Sequence, residues 1–599
     1  MPHPDVEEAN VSDTIPARLF HNAERWPSTP AYYEMADGAY VPTTWAGYAD
    51  QVRTAGKALM ALGFQPGQHV TILGFNRPEW VILDLACMAV GGAPAGIYIT
   101  NSAEEVGYIN EHSEAPLTLV ENQDQLDKVL ATRERTPALK WIVTMRGMGP
   151  HPDPSVLTWD EFLAAADRAT DADFGSRLDS LDPDALATLL YTSGTTGPPK
   201  GVMLSHRNLT WTADMGIPMS GVTSGERLVS YLPLSHIAEQ MFTLHIAISV
   251  GYSVYFAESI PALADAIKTV RPTLFFAVPR VWEKFHSGVS AELAHATGAK
   301  AKIAAWAQNA MRSAIHATNE GKHPSRAVGL QAKIADKLVG HKVRAAVGLD
   351  ACRFAVSGAA PISQEVLEFF GGFGLSIMEV YGQSEGSGPS TFNQPGRTRF
   401  GTVGPPFPGC DIRIADDGEV LVRGGNVFMG YYKDPAATAE TLQDGWLVSG
   451  DLGAMDDDGY LTITGRKKDI IVTSGGKNIA PKNLEAGLKD HPLIGEAVII
   501  GDRRRFLSAL ICLDAEAAAA WAAEHGITGP LHEAPEIEGE VEKAVAEVNE
   551  RHARVGQIRK FRILPRELTI EDGELTGTLK VKRNVVAEHF SVEIESMYL

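Results

Sequence analysis

The sequence predicts an α/β fold: a large multi-subdomain N-terminal α/β part with a β-rich segment, followed by a small α+β C-terminal domain. Three observations carry this. At 599 residues the chain is too long for one hydrophobic core, and at roughly 100–200 residues per domain it needs several packed units. From about residue 12 to 290, apolar strand patterns alternate with helical ones, as in layered α/β folds. After Gly404 the chain turns β- and turn-rich, until a basic knot, Gly465-Arg-Lys-Lys-Asp469, separates it from a compact final unit.

In chain order, His69–Gly74 reads as a buried strand, Glu79–Val90 as a helix and Ala95–Thr100 as a strand, with Leu117–Glu121, Trp141–Thr144 and Ala187–Tyr191 as further buried strands. The two most apolar stretches are Trp80–Thr100, which contains Asp84 and three glycines, and Met241–Phe256, which contains His245 and is too short to span a bilayer. Each reads as a buried helix running into a buried strand. Residues 285–347 are rich in Ala and Lys and nearly free of Pro. Ile303, Ala304, Trp306, Met311 and Ile315 suit helical faces there, which predicts a helical insertion. Asp411–Ala415, Glu419–Val422 and Tyr460–Thr464 read as strands, with a turn at Asp456–Gly459. The final unit opens with Ile470–Thr473. A hairpin of Ala497–Gly501 and Phe506–Leu513 folds around Asp502-Arg-Arg-Arg505. A charged helix near Glu538–Val555 then carries Val541, Val545 and Val548 on one face. The expected division is 1–465, with the insertion at 285–347 and the β-rich segment at 402–465, and 466–599.

Lys and Arg total 53 against 74 Asp and Glu, a net charge of −21. Such a surface repels nucleic acid and anionic lipid at long range, so an anionic ligand must be met by a local positive site. Cys87, Cys352, Cys410 and Cys512 are scattered without a Cys-x-x-Cys pair, which suits a reducing cytoplasm better than a disulfide framework or a zinc site. Met1–Val11 is acidic and lacks the apolar core of a secretory signal.

The strongest local signal is Tyr191-Thr-Ser-Gly-Thr-Thr-Gly-Pro-Pro-Lys-Gly-Val202, directly after apolar Ala187–Leu190. A glycine-rich loop at a strand end exposes backbone N–H groups, hydroxyls add donors and Lys200 adds charge: a phosphate cradle. It is not a Walker A loop, because Lys200 is followed by Gly201 and Val202 rather than by Ser or Thr.

This string resembles the phosphate loop of the AMP-forming adenylating enzymes, which include acyl-CoA synthetases, luciferases and peptide-synthetase adenylation domains. Further stations follow in the family's order over nearly the whole chain: Tyr231-Leu-Pro-Leu-Ser-His236, Ser357-Gly-Ala-Ala-Pro361, Tyr381-Gly-Gln-Ser-Glu385, Trp446-Leu-Val-Ser-Gly-Asp451, the basic knot, and Thr576-Gly-Thr-Leu-Lys580. Ser384 and Ser449 stand where Thr is usual and keep the hydroxyl. Leu579 stands where many members have Gly, which leaves Lys582 as a second candidate for the lysine.

The resemblance implies the following roles. Thr192, Ser193, Gly194, Thr195, Thr196, Gly197 and Lys200 cradle the ATP phosphates. Gly358, Ala359, Ala360 and Pro361 line the adenine edge, while Tyr381, with Gly382 beside it, stacks on the base. Asp451 binds the ribose hydroxyls, Arg466 the ribose or a phosphate, and Ser384 the α-phosphate. Thr192 and Glu385 hold Mg²⁺, and His236 lies on the acyl side. Lys580 bridges the acyl carboxylate and the α-phosphate, so Lys580, Glu385 and His236 form the catalytic set. Lys468 is the hinge about which the C-terminal domain swings. Ser474, Gly475, Gly476 and Lys477 then admit the pantetheine arm of coenzyme A, with Arg503, Arg504 and Arg505 near its phosphates.

The insertion, Pro279-Arg-Val-Trp-Glu-Lys284 and Ser474-Gly-Gly-Lys-Asn-Ile-Ala-Pro481 resemble long-chain fatty acyl-CoA synthetases, and Ile72–Trp80 with Gly96–Ser102 is similar to the bubblegum branch of that group. The implied cofactors and substrates are ATP, Mg²⁺, coenzyme A and a fatty acid, in the cytoplasm, with peripheral membrane contact and oligomerisation left open. Two other readings stay open at this point: a ligase loading fatty, aryl or medium-chain acids onto another thiol, and a silent nucleotide- or lipid-binding protein.

Overall fold

The computed structural model of the chain describes residues 13–192, 198–474, 477–576 and 580–599, and the side chains of all of these but Asn478 and Val555. Two eight-stranded sheets form its scaffold. One runs, in spatial order, through strands 388–392, 377–383, 354–357, 274–277, 227–230, 253–256, 30–36 and 39–44; the other through 430–431, 200–205, 186–192, 93–97, 69–73, 117–120, 141–144 and 156–158. Their inner strands pair in parallel; both edges of the first sheet and the 430–431 edge of the second are antiparallel, while 156–158 pairs in parallel with 141–144. Parallel strands buried on both faces need continuous apolar runs, and His69–Leu73 and Leu117–Val120 are buried at every position.

The helix Pro78–Ala89 is buried all round. It encloses Asp84, neither of whose carboxylate oxygens has a partner among the described residues; burial pushes that carboxyl well above its ordinary value, so it sits in the core uncharged. Met241–Phe256 is a helix with a π-turn at Met241–His245, followed by the strand Ser253–Phe256, matching the buried helix-to-strand expectation.

A third, five-stranded sheet occupies 411–466, with Asp411–Ile414, Glu419–Arg423 and Trp446–Met455 antiparallel and Leu461–Arg466 on the last of these. Beyond it, Ile494–Ile500, Leu507–Leu513 and Ile558–Ile563 make a three-stranded sheet. Its two faces carry separate cores drawn only from residues 471–598.

Several boundaries differ from the sequence expectation. The strand expected at Ala95–Thr100 runs Ala93–Ile97, because Tyr98–Asn101 turns the chain into a helix capped by Ser102 and Glu105. The insertion's first helix starts at Pro279, where proline is suited to the first turn. The helix expected to reach Val555 ends at Glu550; Asn549 exchanges two hydrogen bonds with the Ile558 backbone, 2.9 and 2.8 Å, and folds the chain back. Within the insertion Met311 is buried, but Ile303 and Trp306 face solvent rather than a core. Phe275 and Tyr252 are fully buried, and Phe242 stacks on Phe276 at 4.7 Å.

Candidate active site

Ligands of open α/β sheets gather at the carboxyl ends of the strands, and four such ends converge here. The strands Leu186–Thr192 and Lys200–Ser205 form an antiparallel hairpin with Thr192 opposite Lys200, so the expected phosphate loop is its tip; Ser193, Gly194, Thr195, Thr196 and Gly197 lie outside the described residues. The short strand Gly430–Tyr431 adds to the hairpin at Val202. This brings the Tyr431 ring 4.9 Å from the Lys200 amine and its hydroxyl 2.7 Å from Glu385 Oε1, to which it donates. Burial and the Glu385 charge push the Tyr431 phenol up, which keeps its proton on. Sequence reasoning passed over Tyr431, since nothing local to Gly430-Tyr-Tyr432 marks it.

The strand Phe354–Ser357 ends in Gly358, where a Cβ would stand 2.6 Å from Val380 Cγ1. Ala359 follows with φ +68°, a strained backbone for a residue with a Cβ; Ala359, Ala360 and Pro361 are exposed. On the neighbouring strand Ile377–Gln383, a Cβ at Gly382 would lie 1.7 Å from the Gly388 carbonyl oxygen, so only glycine fits. That close approach aims Tyr381, whose hydroxyl donates to Asp451 Oδ2 at 2.9 Å. Asp451 sits opposite Arg466 in the adjoining sheet, with Arg466 Nε 3.6 Å from Oδ1. Its N–H donates to Ser449 Oγ at 3.0 Å. Ser384 and Glu385 form a short 3₁₀ turn just beyond.

His236 caps the helix Ile237–Gln240, and its Nδ1 accepts the Ala238 N–H at 3.1 Å. The ring proton therefore resides on Nε2. Burial and the nearby Lys580 cation push the imidazole down to about 3, so it is a neutral donor at ordinary pH. Behind it lies a buried network that the sequence did not announce. Glu239 Oε1 accepts from Ser230 Oγ at 2.6 Å, Thr243 Oγ1 at 2.7 Å and Asn76 Nδ2 at 3.2 Å, and burial pushes the Glu239 carboxyl up to about 7.

Lys580 closes the cleft. Its N–H donates to Thr576 Oγ1 at 3.0 Å. Although the side chain keeps solvent access, the surrounding protein, then Arg466 and Lys482, push its amine down to about 8 against the pull of Asp451 and Glu385. The lysine is thus within electrostatic reach of residues from four separate elements, two strands, a helix and a 3₁₀ turn. The second candidate, Lys582, instead precedes the helix Arg583–His589 and is not among the groups acting on Lys580 or His236.

Lys467 anchors the connection to the final unit, its amine 2.7 Å from Asp417 and 2.8 Å from Glu419, while the adjacent Lys468 is exposed. Ser474 and Lys477 flank Gly475 and Gly476, which lie outside the described residues, in the Ile471–Ile479 hairpin. Beside it opens a cleft of 360 Å³ lined by Lys477, Arg505, Arg554 and Arg559 together with Thr473, Phe506 and Gln557. Of the arginine triplet only Arg505 joins it. Arg504 is bound to Glu595, 3.1 Å through Nη1, and Arg503 stands 3.7 Å from Asp502. Arg280 ties the small unit to the large one through the Gly495 carbonyl at 2.9 Å and Asp514 at 3.2 Å.

The comparisons agree with this architecture. Residues 19–432 match the family model "AMP-binding enzyme", and 468–599 match "AMP-binding enzyme C-terminal domain". The long-chain-fatty-acid–CoA ligase FadD15 of Mycobacterium tuberculosis is 40% identical over 98% of this chain and 97% of its own length. The long-chain-fatty-acid–CoA ligase ACSBG2 of Homo sapiens is 34% identical over 98% and 92%. Among solved structures, the fold is similar to that of the adenylation domain of a Mycobacterium chelonae carboxylate reductase (TM-score 0.79, 21% identity, 99% of this chain and 92% of that one). It is also similar to the anthranilate CoA ligase AuaEII in complex with anthranoyl-AMP (TM-score 0.75, 20% identity, 98% and 99%). With both family models matched in order over nearly its full length, the chain belongs to the AMP-binding enzymes.

Proposed function

We propose that the chain is a long-chain fatty acid–CoA ligase, which joins a fatty acid to ATP as an acyl-adenylate with release of pyrophosphate and then transfers the acyl group to coenzyme A with release of AMP. The observation that carries this reading is the position of Lys580. It comes from the far end of the chain and yet lies within electrostatic reach of Arg466, Asp451, Glu385 and His236. Attack of a carboxylate on the α-phosphorus joins two anions, so its barrier is largely electrostatic, and a lysine in that place supplies the neutralising charge. His236, neutral and protonated on Nε2, donates to the acyl carboxylate without adding charge. Tyr381 and the Gly358–Pro361 loop hold the base, Asp451 and Arg466 the ribose, and Ser384, Thr192 and Lys200 the phosphates.

The donor set also suits Mg²⁺. Tyr431 occupies Oε1 of Glu385, and among the described residues no donor reaches Oε2, which leaves that oxygen and the Thr192 hydroxyl for the cation. No group of three His, Cys, Asp or Glu is poised for a metal among those residues; that accords with a hard cation held by one carboxylate plus substrate phosphates and water. When bound, Mg²⁺ offsets phosphate charge.

For the second half-reaction the final unit, 466–599, turns about Lys468 and presents Ser474–Lys477. The cleft of Lys477, Arg505, Arg554 and Arg559 beside that loop is a local positive site of the kind an acidic protein needs for the phosphates of coenzyme A. The long-chain preference rests on the relatives, 34–40% identical over most of their length. The protein works in the cytoplasm, and no helix among the described residues is long and apolar enough to cross a membrane.

The test is AMP release with short-, medium-, long- and very-long-chain acids and aryl acids, with and without coenzyme A. Turnover with long-chain acids that needs coenzyme A is expected. Pyrophosphate exchange without any coenzyme A thioester would instead mark a ligase that loads another thiol, and no exchange with any acid would mark a silent binder.

A further inference from the structure

The helical insertion departs from the rest of the molecule in both charge and polarity. Between Gly298 and Ala346 the sequence has nine Lys and Arg and two acids, a net charge of +7, while the rest of the chain carries −28. The segment folds as an antiparallel hairpin, Gly298–Asn319 against a continuous helix from Arg326 to Ala346 with a π-turn at 336–340. Its inner face is anchored by Ala307, Ala310, Met311 and Ala335 on Phe373.

The outer face is apolar where a solvated face should be polar. Of the eleven large hydrophobic side chains exposed among the described residues, five lie on this hairpin: Ile303, Trp306, Leu330, Ile334 and Leu338, with Trp306 40% and Leu330 61% exposed. Leu330, Ile334 and Leu338 recur every four residues and form a stripe along one helix. Cations flank the stripe. Lys300, Lys302, Arg326, Lys333, Lys337 and Lys342 are exposed, and no ion pair engages them among the described residues. The two acids are already taken, Glu320 by Lys322 and Asp336 by Arg344, each at 2.7 Å; Arg312 reaches Glu368 at 3.7 Å.

We propose that this hairpin is a membrane-docking surface that lies in the interface of an anionic phospholipid bilayer. An aliphatic stripe with a tryptophan enters the acyl boundary while flanking lysines extend to the headgroups. A strongly acidic protein approaches an anionic bilayer only through a face of opposite charge, and this face has it. The inference goes beyond the ligase reading and stands on the surface alone; its consequence for a ligase is that the enzyme collects acids where they partition.

The test is co-sedimentation of the full chain with vesicles of phosphatidylcholine alone or mixed with phosphatidylglycerol. Binding to the anionic vesicles, weak binding to the neutral ones and weakening by salt are expected. Two variants separate the forces. Lys333→Glu with Lys337→Glu should weaken anionic binding by at least roughly 30-fold, since each cation near such a surface contributes about fivefold. Leu330→Ser with Leu338→Ser should weaken binding and leave a remainder that salt abolishes. Both change exposed side chains only, so melting temperature and AMP release with octanoate, a water-soluble acid, should match the parent. Those octanoate controls report on the ligase reading independently of sedimentation. Failure of the parent chain to pellet with anionic vesicles, or pelleting of the Glu variant equal to the parent, overturns the proposal. So does a dimer in solution that both variants dissociate, because the face would then be an interface between copies.

Discussion

Replacing Tyr431 by Phe removes one oxygen atom from a contact that joins two sides of the cleft. The hydroxyl donates to Glu385 at 2.7 Å from a ring that is 8% exposed. A hydrogen bond to a charged group contributes about 1.5–3 kcal/mol, and the ring itself, packed on Phe428 at 5.0 Å and under Lys200 at 4.9 Å, stays in place. The lost term therefore falls on Glu385 alone. At about 1.4 kcal/mol per tenfold, the adenylation rate at limiting Mg-ATP should fall by about 10- to 150-fold. Pyrophosphate exchange across a Mg-ATP series measures it. A cycle with Glu385→Gln gives the decisive comparison, since coupled residues are non-additive: if the hydroxyl acts through the carboxylate, the double variant is no slower than Glu385→Gln. A Tyr431→Phe enzyme as fast as the parent, or losses that multiply in the double variant, would refute the linkage.

Lys580→Ala should lower adenylation on the order of 10²–10³-fold while sparing thioester formation from supplied acyl-adenylate; a larger loss in Lys582→Ala would move the lysine's role to that position. The ammonium of Lys580 is the useful form, and with its amine near 8 it is present below that pH and lost above it. Adenylation kcat/KM, which reports the free enzyme, should therefore decline as pH rises through about 8. Lys580→Arg, which does not titrate in this range, should be slower but lack that decline; an unchanged alkaline limb would assign it to another group. Lys468→Pro fixes φ at the pivot and restricts Lys467 before it, so acyl-AMP and acyl-CoA formation, assayed separately, should lose rate unequally; equal losses at a normal melting temperature would argue against a two-pose mechanism.

The hairpin proposed to hold the phosphates was legible as a strand and turn because its information is local: strand, glycines, hydroxyls and lysine follow one another within a single string. Tyr381, Asp451 and Arg466 were legible only through resemblance, since their meeting depends on the strand Trp446–Met455 pairing with Leu461–Arg466 and facing a different sheet. Tyr431 was illegible because it acquires its place from the strand Lys200–Ser205, distant in sequence, and Glu239 because its network joins the nearby Ser230 and Thr243 to Asn76 from a far loop. The insertion's helices were evident, but not which faces they bury. Alanine is nearly neutral between core and solvent, so a helix that buries Ala307 and Ala310 and exposes Ile303 and Trp306 shows little periodic contrast to tell one face from the other.

The placement of the final unit bears on how one cleft serves two reactions. Lys580 enters among Glu385, Asp451 and Arg466 from one side of that unit, while the basic cleft is lined wholly by the unit's own residues, 473 to 559. On the proposed two-pose reading these two features serve different steps, and Arg280 ties the small body to the large part in the pose described, through the Gly495 carbonyl and Asp514. The ion pairs across that boundary, Arg280 with Asp514 and Lys284 with Glu516, join exposed or half-exposed side chains, and surface ion pairs contribute about 0–1 kcal/mol each. The proposed rotation about Lys468 would break them at little cost and would exchange Lys580 for the Ser474–Lys477 segment. The chemistry asks for that order, because the ammonium is needed while charge builds on phosphorus and obstructs a thiol afterwards.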